Sequence, residues 1–222
     1  MSERIDAVVL AAGLSSRAGS LNKLLLPVAG KPLAAHATDA ALASRARYVH
    51  VVTGHQAETL TAALDDRPLK FVHNPAYPTG MSSSIATGIR SLADDSEGVI
   101  ICLADMPLVA SNHLDLLIEN YDPGRICAPF YRGRRGNPVL FGSTFFEDLL
   151  QLTGDTGARQ LLDGLANSIT QVDVDDDGFA FWRDRSGIRR DGLELAFRAQ
   201  LIIPLDHFSN GAGLIEHLLA PV

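Results

Sequence analysis

Short apolar runs rich in β-branched residues alternate along this chain with segments of helical length. That alternation leaves few architectures open. Strands separated by helices pair in parallel, and a parallel sheet has to be covered on both faces. The strand-like runs are Ile5 to Leu10, Tyr48 to Thr53, Lys70 to His73 and Val99 to Leu103. Helices fit at Pro32 to Ser44, His55 to Leu64, Ser82 to Leu92 and Ser111 to Tyr121, with Ser111 the expected cap of the last. The pattern predicts an α/β fold of three layers, a mostly parallel sheet between two sets of helices.

After Tyr121 the regularity weakens. Arg125 to Ala128 reads as a further strand, and Phe130 to Phe141 contains Arg132-Gly133-Arg134-Arg135-Gly136-Asn137-Pro138, a loop or hairpin signature. Helical patterns return at Ser143 to Leu152 and Thr156 to Leu165, and Ile169 to Val174 closes the series as a strand. From Asp175 the composition shifts, with aspartates at 175, 176 and 177 followed by an arginine-dotted segment. The expected organisation is one α/β domain over residues 1–178 and a divergent C-terminal tail over 179–222.

Composition narrows the function classes. A chain of 222 residues with 46% hydrophobic and 20% charged residues builds an ordinary packed domain. Cys102 and Cys127 sit inside apolar stretches, as reduced core thiols of a cytoplasmic protein would. The opening segment, acidic and then apolar only from Ala7 to Ala12, is too short for a signal peptide or a membrane span. A net charge of −7 argues against nucleic acid or an acidic membrane as partner. An anionic substrate would have to find cations placed locally.

Such cations follow the first strand. Leu10, Ala11, Ala12, Gly13, Leu14, Ser15, Ser16, Arg17, Ala18 and Gly19 lead to Lys23, so glycine-rich backbone, an arginine and a lysine converge where open α/β sheets bind ligands. Successive N–H groups in such a loop form an anion nest, and Arg17 and Lys23 can neutralise the charge that the amides only orient. The loop suits a polyphosphate. It is neither the dinucleotide fingerprint nor the P-loop motif. Asp105, just past the apolar strand Val99 to Leu103, places a hard carboxylate at the same edge, where it could hold Mg²⁺. Ser82, Ser83 and Ser84 stand at the start of a helix whose amides suit a phosphate or ribose contact. Arg132, Arg134 and Arg135 offer cations for a second anionic substrate. The seven histidines show no zinc-ligand spacing.

Taken in order, Leu-Ala-Ala-Gly-x-Ser-x-Arg with Gly19, Lys23 and Pro27 resembles the signature loop of the MobA-like nucleotidyltransferases. Gly80-Met81-Ser82-Ser83-Ser84, Leu103-Ala104-Asp105-Met106-Pro107, Gly136-Asn137-Pro138 and Gly154-Asp155-x-Gly157-Ala158-Arg159 resemble further segments of that family, over roughly residues 5 to 175. The resemblance implies a Rossmann-like sheet of the nucleotide-diphospho-sugar transferase type. Within the family the chain is most similar to the molybdenum cofactor cytidylyltransferases, which also carry Ala-Ala-Gly. The Ala12 methyl would take space a purine needs, a preference worth at most about 1–3 kcal/mol.

What the resemblance implies is transfer of CMP from CTP to a molybdopterin-type cofactor, with release of pyrophosphate. Arg17, Lys23 and Asp105 would be catalytic, and Leu10, Ala11, Ala12, Gly13, Ser15, Gly19, Lys23, Ser82 and Ser83 would bind the nucleotide. Mg²⁺ would sit on Asp105 and a second carboxylate. The family's second acidic segment is missing here, and Asp184 is the acid nearest its place. That departure leaves two other readings open. One is an NAD(P)H-dependent oxidoreductase acting on a quinone-like heteroaromatic, as the name nicotine blue oxidoreductase among similar proteins suggests. The other is a chaperone that carries the molybdenum cofactor to a molybdenum hydroxylase.

Overall fold

The computed structural model describes residues 4–14 and 22–175. At its centre lies β1 (Ile5–Ala11), in which Ala7, Val8 and Val9 are wholly buried. A strand of unbroken apolar residues belongs between neighbours on both edges and helices on both faces. β1 accordingly pairs in parallel with β4 (Val49–Thr53) and β6 (Gly98–Leu103). β5 (Lys70–His73) extends the sheet beyond β4. On the other side β9 (Val139–Gly142) runs antiparallel between β6 and β7 (Ile126–Tyr131), and β10 (Ile169–Asp173) pairs in parallel with β7 at the edge. The order is β10-β7-β9-β6-β1-β4-β5, with the short β8 (Arg134–Arg135) on β7. A separate two-stranded ribbon joins β2 (Pro27–Val28) to β3 (Lys31–Pro32).

Strand periodicity divides the core in two. In β1, Ile5, Ala7, Val9 and Ala11 pack with α1 (Leu33–Leu42) and α4 (Ser111–Glu119), whereas Val8 turns to the cluster of α3 (Met81–Arg90), α5 (Phe146–Leu150) and α6 (Arg159–Gly164). The helix α2 (Ala57–Ala62) adds Leu60 to the first cluster. Each fully buried aliphatic side chain contributes about 1.5–3 kcal/mol. The three-layer α/β fold expected from the alternation is the one observed. No helix among the described residues is long and apolar enough to cross a membrane.

Three local expectations are refined. Phe130 to Phe141 folds as a hairpin, Tyr131 facing Arg134 across a two-residue turn. Ser111 is the first helical residue of α4 rather than its cap, since the Ala110 N–H donates to His113 Nδ1 at 3.1 Å. A histidine that reaches back takes the role a serine was expected to fill. The helix expected from Thr156 shortens to α6.

At the amino edge of the sheet Asp6 is fully buried and takes both Nε and Nη2 of Arg47 at 3.0 Å, while Arg47 Nη1 donates to Asp95 at 2.9 Å. The hydrogen bond to Asp6 and the weaker one to Asp95 hold the Arg47 guanidinium firmly protonated against burial. On β4, His50 is buried and shares a 3.0 Å hydrogen bond between Nδ1 and Ser91 Oγ. Its Nε2 has no hydrogen-bond partner among the described residues. Burial lowers the His50 pKa, and nearby Lys70 and Arg47 add to this against the pull of Asp6.

Replacing Asp6 with Ala strands a guanidinium that keeps only Asp95, so urea unfolding should show a loss of about 3 kcal/mol. A loss below about 0.5 kcal/mol, the scale of an exposed pair, would contradict the reading. His50 sets a pH response. The folded protein disfavours the imidazolium, so the unfolded chain binds the proton more readily, and stability falls as pH drops through the ordinary value of 6.5. Asp95, hydrogen-bonded by Arg47, and Glu97, accepting the Arg4 N–H, are held below 3.8 and 4.5, so their contributions are lost only at lower pH. Between pH 7.5 and 5.5 the wild type should therefore lose more stability than His50→Asn, and equal slopes would show His50 to be uninvolved.

Candidate functional site

The β1–β6 register carries the site. Leu10 lies opposite Leu103, and the Ala104 N–H donates to Leu10 O at 3.2 Å, so the chain leaving β6 is tied to the start of the glycine-rich loop. Asp105 follows directly. On the loop's return, residues Lys23–Leu25 form a single 3₁₀ turn capped by Asn22, whose Oδ1 accepts the Leu24 N–H at 3.0 Å. Asn22 is buried, and its cap fixes the backbone that presents Lys23. The sequence reading missed this residue, although an asparagine just before a short turn is an N-cap signal. Lys23 Nζ donates to Asp105 Oδ2 at 2.5 Å.

This pair is unlike the one at the amino edge. The Asp105 side chain is 16% exposed and that of Lys23 is 41% exposed, so both heads reach solvent at the carboxyl edge. A half-exposed ion pair stabilises the fold little. Its chemistry matters more: a triphosphate offers anionic oxygens that compete for the ammonium, and a divalent cation competes for the carboxylate.

Gly13 has open space around it and Leu14 is exposed, whereas Leu10, Ala11 and Ala12 belong to the packed core. The Ala12 methyl lies against the Gly54 backbone, where an added Cβ would stand 2.9 Å from it and 2.6 Å from Tyr77. Ala12 is thus 3% exposed and joins the α3 cluster. The methyl expected to take space from a purine is packed in this cluster. Ser15, Arg17 and Gly19 lie outside the described residues, as does Asp184.

The serines at α3 also do something other than expected. The Ser83 hydroxyl donates towards Ala76 O and Gly80 O, and both Ser83 Oγ and Ser84 Oγ accept from Asn74 Nδ2, at 2.9 and 3.0 Å. They fasten the Asn74 turn rather than cap the helix. Ser82 Oγ is buried without a hydrogen-bond partner among the described residues. The helix amides are engaged as well: Met81 N–H donates to Asp155 Oδ1 at 3.3 Å and Ser82 N–H to Gly154 O at 3.2 Å. Gly80, at φ 118°, permits this approach, because a Cβ there would meet Gly154 O at 2.5 Å. The Gly154-Asp155 segment therefore fills the helix terminus that had been expected to take a phosphate.

Among the described residues no three His, Cys, Asp or Glu side chains gather into a metal-binding group. Asp105 is the described carboxylate that meets Lys23 beside the glycine-rich loop, and a single carboxylate suits Mg²⁺, which keeps several waters and relies on substrate phosphates. The cysteines are not nucleophiles: burial pushes Cys102 up to about 12 and Cys127 up to about 11.

Nicotine blue oxidoreductase of Paenarthrobacter nicotinovorans is 29% identical over 166 residues, 71% of this chain and 81% of the relative. Purine catabolism protein PucB of Bacillus subtilis is 34% identical over 164 residues, 70% of this chain and 78% of the relative. Among solved structures, Rv0371c of Mycobacterium tuberculosis superposes with a TM-score of 0.72 at 26% identity, covering 79% of this chain and 90% of that one. The same protein has been solved as a manganese complex, similar at a TM-score of 0.67 and 25% identity over 79% of this chain and 90% of that one. Residues 7–171 match the MobA-like NTP transferase domain, and the chain belongs to that nucleotidyltransferase family.

Proposed function

We propose that the chain transfers a nucleotidyl group from a nucleoside triphosphate, CTP as donor, to the terminal phosphate of a molybdopterin-type cofactor, releasing pyrophosphate. The observation that supports this most is the Lys23–Asp105 pair, which sets one cation and one carboxylate at the mouth of a glycine-rich loop. An acceptor phosphate oxygen attacks the α-phosphorus, the bond to the bridging oxygen of the β-phosphate breaks, and pyrophosphate leaves. The acceptor is already anionic, so no covalent enzyme intermediate is needed, and positioning and charge neutralisation supply the rate. Lys23 leaves Asp105 to meet the triphosphate, with Arg17 as its partner on the loop. Asp105 would then be free to hold a divalent cation, Mg²⁺ or the Mn²⁺ found in the Rv0371c complex, and such an ion would supply neutralisation of the charge developing on the phosphates. Asp184 is proposed as a second carboxylate, residues 1–178 as the catalytic unit and 179–222 as the tail.

A second reading rests on the relative named nicotine blue oxidoreductase: the same cleft would hold NAD(P)H and deliver hydride to a heteroaromatic acceptor.

Pyrophosphate release from CTP, GTP and ATP with molybdopterin-type cofactor, run beside NADPH oxidation with a quinone acceptor, separates the two. Transfer is expected with Mg²⁺ and CTP, and Asp105→Ala should lower it by 100-fold or more, in the range of losing a group that stabilises the transition state. Lys23→Ala should raise KM for the nucleotide about tenfold or more. NADPH oxidation without pyrophosphate release would replace transfer by the reductase reading, and retention of cofactor with neither activity would favour the carrier reading.

A further inference from the structure

We infer that Arg132, on the turn between β7 and β8, and Arg134, the first residue of β8, form a second anion site that docks the phosphate monoester of the acceptor, apart from the triphosphate loop. The inference rests on the transferase reading for the identity of the acceptor, but not for the existence of the site. Sheet register places it. Leu140 of β9 faces Ile100 on one side and Cys127 on the other, so those two residues are level across the sheet. Counting onward within the strands, Phe130 stands level with Leu103, the last residue of β6, and Tyr131 ends β7 one position later. The two strands lie two positions apart, about 10 Å. The turn thus projects at the same edge of the sheet as the proposed metal carboxylate, on the side of β6 away from β1, whose end opens into the glycine-rich loop. A donor held by that loop and an acceptor held by this turn would approach Asp105 from opposite sides.

The turn is built to present these side chains. Tyr131 and Arg134 close a two-residue hairpin whose loop is Arg132 at φ 50° and Gly133 at φ 72°. Both positions require the left-handed region, which Asn, Asp and Gly adopt readily and arginine does not. An arginine is nevertheless held there, its guanidinium 5.0 Å from the centre of the Tyr131 ring.

Charge pairing adds a second observation. Arg4, Arg45, Arg47, Arg67 and Arg135 each make an ion pair with a carboxylate, while Arg125 donates to Thr170 Oγ1 and Ile169 O and Arg90 is exposed at the end of α3. Arg132 and Arg134 are exposed and have no ion pair with a described residue. The carboxylates nearby are otherwise engaged: Asp163 binds Arg135 at 2.7 Å, and Asp173, across from Phe130 on the outer side of β7, accepts from Gln171 at 2.6 Å. In a chain of net charge −7, two uncompensated guanidiniums facing the active edge give a dianion a local well that the overall field does not. Their planar forks match phosphate oxygens in bidentate fashion.

The test uses the full chain and a double variant, Arg132→Gly with Arg134→Gln. Inorganic phosphate and phenyl phosphate are titrated and followed by ³¹P line broadening, with and without a non-hydrolysable CTP analogue and Mg²⁺. Wild type should bind both phosphates with the analogue present, and the variant at least tenfold more weakly. The variant's melting temperature should hold or rise, because glycine relieves the positive φ. A purely structural turn would show the opposite, lower stability with unchanged phosphate affinity. Equal affinities, or no phosphate binding by wild type, overturn the inference. Phosphate binding that depends on these arginines in a protein that binds no nucleotide would sustain the site and defeat the transferase reading.

Discussion

The parallel pairing of β1 with β6 is the constraint on which the rest of the molecule depends. It places the end of one buried strand, where the chain opens into a glycine-rich loop, beside the end of another, where it turns at Asp105. Neither strand has a polar group to spare along its length apart from Asp6. The chemistry is therefore displaced to the ends. The helices on either face seal the sheet, and ligands are left its carboxyl edge. A ligand that needs both a cation and a carboxylate beside the glycine-rich loop finds them in Lys23 and Asp105.

The two edges use charge in opposite ways. At the amino edge the Asp6–Arg47 pair is buried, doubly hydrogen-bonded and braced by Asp95, an arrangement that is costly to break and offers nothing to a ligand. At the carboxyl edge Lys23 and Asp105 are joined by one hydrogen bond and remain accessible. Their separation needs little free energy, and each partner has a natural replacement in a metal-bound triphosphate. The difference between a structural and a functional ion pair here is a difference of burial and of the number of hydrogen bonds, with similar residue types at both ends.

Much of the fold was legible because it rests on periodicity. The strand runs at Ile5, Lys70 and Ile169 fall within a residue or so of the observed elements, since short runs rich in apolar and β-branched residues between turn signals have few other uses. The site was legible to the extent that it depends on position along the chain: Asp105 lies just past the end of β6, and Lys23 at the far end of the loop that opens from β1. What pattern could not give was the fate of small polar residues. Ser111 yielded its cap to His113, and Ser83 and Ser84 serve Asn74, because hydroxyl partners are chosen by tertiary geometry that spacing does not encode. Ala12 belongs with these: a methyl group can fill a core as well as trim a pocket, and its packing beside Gly54 is tertiary geometry that spacing does not encode. Ser15, Arg17, Gly19 and Asp184 fall outside the described residues, so the cation on the loop and the second acid rest on the sequence.

The central claim, that the carboxyl edge takes a metal-bound nucleoside triphosphate between Lys23 and Asp105, is tested most directly by thermal unfolding with ligand. Melting temperature would be measured for wild type and Asp105→Asn with CTP alone, Mg²⁺ alone and both together. A ligand that binds only the folded state raises stability by mass action, at a saturation of 100 Kd by about 2.7 kcal/mol. The account predicts a rise in wild type that is much larger with both ligands than with either, and that loses its dependence on Mg²⁺ in the variant. An equal rise in the two proteins, or a rise with NADPH and none with nucleotide and Mg²⁺, would contradict it.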